Sequence, residues 1–95
     1  MIASIEGQIA GRYDDYLVIA VGGIGYKVFV PASSIARITE DDIFLHTVMV
    51  VREDSLTLYG FLTVTDREIF ELMLSVSGIG PKTLEKLRPH VVAGN

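Results

Sequence analysis

Three pairs of adjacent acidic residues are the first feature of the sequence that could support chemistry. They are Asp14-Asp15, Asp41-Asp42 and Glu53-Asp54. Two neighbouring carboxylates can hold a metal ion or exchange protons with a substrate. All three pairs fall where the sequence predicts turns, and aspartate is favoured in turns because its side chain hydrogen-bonds to the local backbone. Residue types alone therefore favour a solvated turn at each pair.

The segment SGIGPK, residues 77–82, is the motif that most strongly indicates ligand binding. Helix-forming residues lie on both sides of it, so we predict a helix-hairpin-helix element. Its two glycines would let the backbone approach a nucleic-acid strand, and the amides that open the second helix would point at a phosphate. The alternative is an ordinary tight connection between helices, where glycine is common. The predicted phosphate-binding residues are Ser77, Gly78, Ile79, Gly80, Lys82 and Thr83.

Other motifs give no catalytic or metal site. The segment VGGIGY, residues 21–26, looks superficially like a nucleotide-binding loop, but a strand follows it rather than a helix, so we predict a hairpin turn. The chain has no cysteine and only two histidines, His46 and His90. We expect His46 to be a half-buried strand residue rather than a metal ligand. We predict no catalytic residue, no metal and no cofactor.

The charge distribution argues against long-range attraction to nucleic acid. The formal net charge is −4. Residues 1–61 hold eight acidic and four basic residues, whereas residues 62–95 hold four of each. A polyanion would therefore have to be bound through local geometry.

The composition also bounds the class of protein. The chain has 95 residues, of which 49% are hydrophobic, a high fraction for a small domain. Some apolar surface is therefore expected to be covered by a partner subunit. The N-terminus lacks the pattern of a signal peptide, and no apolar run approaches the length of a membrane span. We expect a cytoplasmic protein that does not contact a membrane.

The hydrophobic pattern changes period near residue 62. Five β-prone segments come first: IASIEGQIAGR, YLVIAV, YKVFV, IFLHTVMVV and LTLYGF. With the short helical segment ASSIARI between the third and fourth, they predict a compact antiparallel barrel. A helix follows, for which Thr65–Glu68 fits a capping box and Val64 and Ile69 fit a hydrophobic staple. We expect this helix to end at Ser77-Gly78 and a second helix to begin near Pro81.

The order of four segments resembles the N-terminal part of the RuvA family. These segments are MIASIEGQI, VGGIGYKV, VVREDSLTLYGF and LSVSGIGPK, and together they cover roughly residues 1–87. RuvA proteins are the Holliday-junction-binding subunits of bacterial RuvAB branch-migration complexes. The pattern VREDxxxLYGF is the most specific part of the resemblance.

The resemblance implies a mainly β fold with α: an OB-like five-stranded barrel in residues 1–62 and a partial helix-hairpin-helix domain in residues 63–95. It implies a homotetramer that holds a DNA four-way junction open in recombination and repair. The subunit is not an enzyme, and RuvB is the separate ATPase motor. Glu53 and Asp54 match the acidic pin of the family, whose charge repels phosphates near the crossover. Arg52 is a possible DNA contact.

The sequence departs from the family pattern near its end. The second helix-hairpin-helix and the domain that binds RuvB are missing before Asn95, and EKLRPHVVAGN differs from the usual continuation. We therefore expect weaker DNA binding per subunit and no recruitment of RuvB.

Two other functions remain open. The first is a tetramer-forming assembly module with negligible DNA binding. The second is a single-strand-binding OB domain, which needs a basic groove with stacking aromatic residues. The available aromatic residues are Tyr13, Tyr16, Tyr26, Phe29, Phe44, Tyr59, Phe61 and Phe70.

Overall fold

A computed structural model describes residues 1–76 as a five-stranded barrel with two helices. The elements in chain order are β1 (Ser4–Arg12), β2 (Tyr16–Val21), β3 (Ile24–Phe29), α1 (Ala32–Arg37), β4 (Asp42–Val51), β5 (Leu56–Phe61) and α2 (Val64–Val76). The prediction of five strands with a small helix between the third and fourth is confirmed, as is the OB-like barrel.

The strands close in the order β1-β2-β3-β5-β4. Four of the pairs are antiparallel, but β3 and β5 run parallel, with Val28 beside Leu58 and Phe29 beside Tyr59. The prediction of an antiparallel barrel is therefore wrong for the β3–β5 pair. Strand directions cannot alternate all the way around a closed ring with an odd number of strands, so five strands require at least one parallel pair.

The barrel core is built from side chains at alternate strand positions. Leu17, Ile19, Val28 and Leu45 are fully buried and point inward, as the period of two requires. On β1, the register against β2 shifts by one residue between Ile9 and Gly11. Such a shift bends the strand and helps a short sheet to curve into a barrel.

A two-residue turn joins β2 and β3. Gly22 and Gly23 have φ angles of 57° and 84°, and Val21 pairs with Ile24 on either side of them. Positive φ at both central residues defines the hairpin turn whose twist matches that of the strands, and glycine adopts it without strain. The predicted hairpin is confirmed.

One end of the barrel is closed by α1. The helix follows β3 and lies at the same end as the β1–β2 turn, where the Val30 N–H donates to the Asp15 carbonyl oxygen. Ser34 of α1 is buried, and Ile38 directly after the helix joins the barrel core. We call this the closed end. The opposite end, with the β2–β3 and β4–β5 turns, we call the open end.

Helix α2 packs on the outer surface of the barrel. Phe70 is 1% exposed, and its ring lies 5.0 Å from that of Tyr59 and 5.1 Å from that of Phe61. Burying a phenylalanine side chain contributes about 1.5–3 kcal/mol, so this packing ties the helix to β5.

The helix begins two residues earlier than the capping box at Thr65–Glu68 predicted. It starts at Val64, and the Asp66 N–H donates to Thr63 Oγ1 over 3.1 Å. Thr63 is therefore the N-cap. The predicted hydrophobic staple of Val64 with Ile69 is also wrong, because Val64 lies inside the helix instead of before its N-cap. The predicted end at Ser77-Gly78 lies outside the described residues.

Neither helix of residues 1–76 combines the length and the apolar character needed to cross a bilayer.

Candidate nucleic-acid interface

The β4–β5 hairpin carries three of the predicted site residues on one turn. Val51 pairs with Leu56, and the four residues between them form the tip, in which the Arg52 N–H donates to the Ser55 carbonyl oxygen over 2.8 Å. Arg52, Glu53 and Asp54 are all exposed. The structure therefore brings these three side chains together at a tight, hydrogen-bonded turn.

The tip extends beyond the closed ring of strands. On one side, the β1–β4 ladder reaches Ser4 and His46, and the Thr47 N–H still donates to Ala3. Beyond this point, the described residues place no strand beside β4 except β5. The last part of the hairpin is a two-stranded ribbon that projects from the open end.

The ribbon is held at its base by packing on both of its faces. Met49 packs against the barrel core, whereas Val48 and Val50 point outward and pack into the cluster around Tyr59 and Phe70. A two-stranded ribbon is marginally stable by itself. This packing, together with the tip hydrogen bond, fixes the direction in which the ribbon projects.

The two carboxylates of the tip have no ion-pair partner within residues 1–76. Two adjacent negative charges are consequently presented to whatever approaches the open end. Charges this exposed repel a phosphate by about 1 kcal/mol at 4 Å in water, and the repulsion falls with added salt.

The other two acidic pairs lie at the opposite end. Asp14 and Asp15 form the exposed β1–β2 turn. Asp42 opens β4 and pairs with Gln8 near the same end, directly after the exposed Asp41. Of the three pairs, only Glu53-Asp54 lies on the projecting ribbon.

Arg12 is a structural residue that sequence reasoning did not single out. Its Nη1 donates to the carbonyl oxygen of Ile38 and its Nη2 to that of Glu40, each over 2.8 Å. The guanidinium thereby fixes the link between α1 and β4. These partners lie 26 and 28 residues away in sequence, so no local pattern reveals them.

Four aromatic residues of the outer surface, Tyr13, Tyr16, Phe29 and Tyr59, form a row of ring contacts. Tyr13 stacks on Tyr16 at 4.4 Å, Tyr16 lies 5.7 Å from Phe29, and Phe29 lies 5.9 Å from Tyr59. The Lys27 Nζ covers the Tyr16 ring at 4.4 Å. Because a stacking platform needs free ring faces, this arrangement disfavours the single-strand-binding alternative.

His46 is half-buried on β4 and lies edge-on to Phe44 with ring centroids 5.1 Å apart, as expected for a strand residue. Among residues 1–76, no group of three His, Asp or Glu side chains is arranged to hold a metal ion.

The predicted phosphate-binding segment lies outside the described residues. This applies to Ser77, Gly78, Ile79, Gly80, Lys82 and Thr83. Helix α2, described to Val76, leads from the barrel directly into that segment.

A family model described as the RuvA N terminal domain matches residues 1–60. Among the curated relatives, the chain is 50% identical over 84 residues to a protein of Chloroflexus aggregans, which covers 86% of this chain and 43% of the relative. It is 44% identical over 96 residues to a protein of Beutenbergia cavernae, covering 99% and 48%.

A relative from Roseiflexus is 41% identical over 106 residues, covering 100% of this chain and 54% of the relative. All three carry the name Holliday junction branch migration complex subunit RuvA. The chain spans about half the length of the curated relatives it matches. A family model that covers most of the barrel, joined by this level of identity, establishes that the chain belongs to the RuvA family.

Proposed function

We propose that this chain binds four-way DNA junctions as the DNA-binding part of a branch-migration complex. The names of its relatives support a role at Holliday junctions. The observation that carries the proposal is the acidic tip: two exposed carboxylates without ion-pair partners in residues 1–76, on a ribbon that projects from the barrel and follows the RuvA pattern.

The tip and the predicted phosphate-binding segment would have opposite effects on DNA phosphates. Backbone amides of Gly78 and Gly80 and the charge of Lys82 would hold the phosphates of the junction arms. Glu53 and Asp54 would repel phosphates from the centre and so keep the strands at the crossover apart. Selectivity would then come from the shape of the junction rather than from base sequence.

The proposal includes a homotetramer and a non-catalytic role. Four copies would bring four acidic tips to one crossover and multiply the weak phosphate binding of each subunit. Residues 1–62 would form the barrel domain and residues 63–95 the beginning of the helix-hairpin-helix domain. In the full-length family a separate RuvB motor would supply ATP-driven movement, while this chain would supply no catalytic group.

A gel-shift titration at moderate salt tests the proposal with a four-way junction and a duplex of equal length. We expect tighter binding to the junction. Lys82→Ala should weaken binding to both DNAs and lower the salt slope by about 0.9 for each phosphate that is no longer neutralised. Equal affinity of the unmodified chain for junction and duplex would overturn the proposal.

A second candidate function is an assembly module that binds DNA negligibly. The observation that favours it is the set of exposed apolar side chains at the open end, where Val51, Leu56 and Ile24 are 64%, 65% and 55% exposed. The net charge of −4 also favours it. Light scattering combined with the junction titration separates the two functions, because a tetramer that leaves the junction unbound would support only assembly.

A further inference from the structure

Thr47 is a polar residue at a position where the strand pattern predicts an apolar one. On β4, Leu45 lies in the barrel core and Met49 packs against that core, so the side chain of Thr47 between them points to the same inner face. Its exposed fraction is only 3%. A buried hydroxyl costs free energy unless it is hydrogen-bonded, and valine would fill the same space without that cost. Packing alone therefore gives no reason for a threonine here.

The hydroxyl of Thr47 binds the N-terminal segment of the chain. Thr47 Oγ1 donates to the Ile2 carbonyl oxygen over 2.7 Å, and the Thr47 N–H donates to the Ala3 carbonyl oxygen over 2.9 Å. The ladder between β1 and β4 ends one residue earlier, at Ser4 and His46. Within residues 1–76, Thr47 is therefore the last residue of β4 that is hydrogen-bonded on the side away from β5.

The two edges of the ribbon are supported to different lengths. On the β5 side, β3 runs beside the ribbon as far as Leu58, which pairs with Met49 of β4. On the β4 side, support ends at Thr47, two residues before the level of Met49. The packing of Val48, Met49 and Val50 holds the faces of the ribbon, so it is Thr47 that holds this edge.

Ile2 links this edge to the residues just below the acidic tip. Its side chain packs against the barrel core and lines a cavity at the open end together with Leu56. Leu56 pairs with Val51, the residue directly before the tip. The segment that Thr47 holds is therefore anchored in the core and borders the same cavity as the last strand pair of the ribbon.

A small rotation at Thr47 would produce a larger displacement at the tip. Val51 lies four residues beyond Thr47 on β4, so at about 3.3 Å per residue the length of strand between them is about 13 Å. A tilt of about 5° would move the far end of that length by about 1 Å, whereas a functional group needs to be held within about 0.5 Å. The hydrogen bonds of Thr47 lie where they restrict such a tilt.

We propose that Thr47 is a positioning residue for the acidic tip. Its hydroxyl fixes the N-terminal segment against β4 and thereby sets the direction of the ribbon that carries Glu53 and Asp54. This inference rests on the proposed function, because the selectivity in question is that of the tip for four-way junctions. Coulomb repulsion weakens with distance, so a tip that is held less firmly discriminates less between junction and duplex.

Spin labels measure the position of the tip without DNA. The chain has no cysteine, so nitroxide labels can be attached at Ser55→Cys in the tip and Ser33→Cys in α1, both exposed positions. Double electron–electron resonance of the labelled chain, diluted with unlabelled chain, gives the distribution of distances between the two labels. We expect Thr47→Val, which loses the hydroxyl, to broaden this distribution. Thr47→Ser, which keeps the hydroxyl, should leave it as in the unmodified chain.

The ratio of duplex to junction dissociation constants tests the effect on selectivity. One hydrogen bond changes an equilibrium by about two- to tenfold, so we expect Thr47→Val to lower this ratio about threefold. Valine is β-branched and apolar, so this variant should fold. Thr47→Ser should keep the ratio of the unmodified chain. Ser34→Ala is the matched control and should also keep it, because Ser34 is buried to the same 3% but lies in α1 at the closed end.

Three results would overturn the proposal. An unchanged distance distribution in Thr47→Val would show that the hydroxyl does not position the ribbon. A broadened distribution with an unchanged ratio would show that the position of the ribbon does not determine selectivity. An equal fall in the ratio for Ser34→Ala would assign the effect to a general loss of stability.

A failure of the proposed function gives a different result. If the unmodified chain binds junction and duplex equally, there is no preference for Thr47→Val to lower. The distance distributions then decide by themselves whether Thr47 positions the ribbon, since they are measured without DNA.

Discussion

The two ends of the barrel differ in how far residues 1–76 bury the apolar side chains and pair the polar groups that lie there. At the closed end, α1 covers the core and Arg12 donates two hydrogen bonds to backbone carbonyls. At the open end, Val51 and Leu56 are largely exposed and two carboxylates point into solvent. The closed end is organised for stability, whereas the open end presents apolar and acidic side chains to solvent.

This difference explains how similar residue pairs can have different roles. Asp14-Asp15 and Glu53-Asp54 are both exposed acidic turns. The first sits on a short turn beside the helix that closes the barrel, and the second sits on a projecting ribbon. Position in the fold, rather than residue type, distinguishes a solvated turn from a candidate binding element.

The largest expected contrast between the ends is in stability. Leu17→Ala removes a fully buried side chain next to the closed end and should lower the free energy of unfolding by about 2–5 kcal/mol. Leu56→Ala, at the open end, should change it by no more than about 0.5 kcal/mol. Urea unfolding followed by circular dichroism measures both, and similar losses for the two variants would remove the distinction between the ends.

A smaller contrast is expected between two arginines. Arg12→Ala loses two charge-assisted hydrogen bonds to the carbonyls of Ile38 and Glu40. We therefore expect the free energy of unfolding to fall by about 1–2 kcal/mol. The fall is smaller than for a buried arginine because Arg12 is exposed. Arg52→Ala should leave stability within about 0.5 kcal/mol. The same urea titration compares them, with Arg12→Lys as a control that retains the charge but cannot reproduce the fork of donors. A stability loss at Arg52 equal to that at Arg12 would contradict a solvent-facing role for the tip.

Local sequence patterns predicted most of the fold because strands and turns depend on neighbouring residues. The alternation of apolar residues located the five strands, and the Gly22-Gly23 turn followed from the need for positive φ. The parallel β3–β5 pair was missed because strand neighbours are chosen by the closure of the whole ring. Counting strands would have been enough to find it, since five cannot alternate in a closed barrel.

The start of α2 shows a local pattern that is ambiguous by itself. Thr63 is followed three residues later by Asp66, and Thr65 by Glu68, so two caps compete within a few residues. The structure uses Thr63, and Phe70 then lies against Tyr59 and Phe61. The contacts between the helix and the barrel join residues far apart in sequence, so a local cap pattern carries no information about them.

The candidate site also has one part that the sequence predicts and one part that it does not. An exposed turn at Arg52–Asp54 could be predicted from composition, and the structure confirms it. The role of the tip came only from family resemblance, because carboxylates in a turn look alike whether or not they meet a ligand.

The most direct test of the acidic tip compares two double neutralisations that remove the same charge from opposite ends. Glu53→Gln with Asp54→Asn changes the open end, and Asp14→Asn with Asp15→Asn changes the closed end. Neither should alter stability by more than about 0.5 kcal/mol, because the side chains are exposed.

The quantity to measure is the ratio of duplex to junction dissociation constants at low salt. We expect the tip variant to keep or strengthen junction binding while its preference for the junction falls about tenfold, equivalent to about 1.4 kcal/mol of lost repulsion toward duplex. The closed-end variant should keep the preference of the unmodified chain. Loss of junction binding in the tip variant, or the same fall in preference in both variants, would contradict a repulsive role for Glu53 and Asp54.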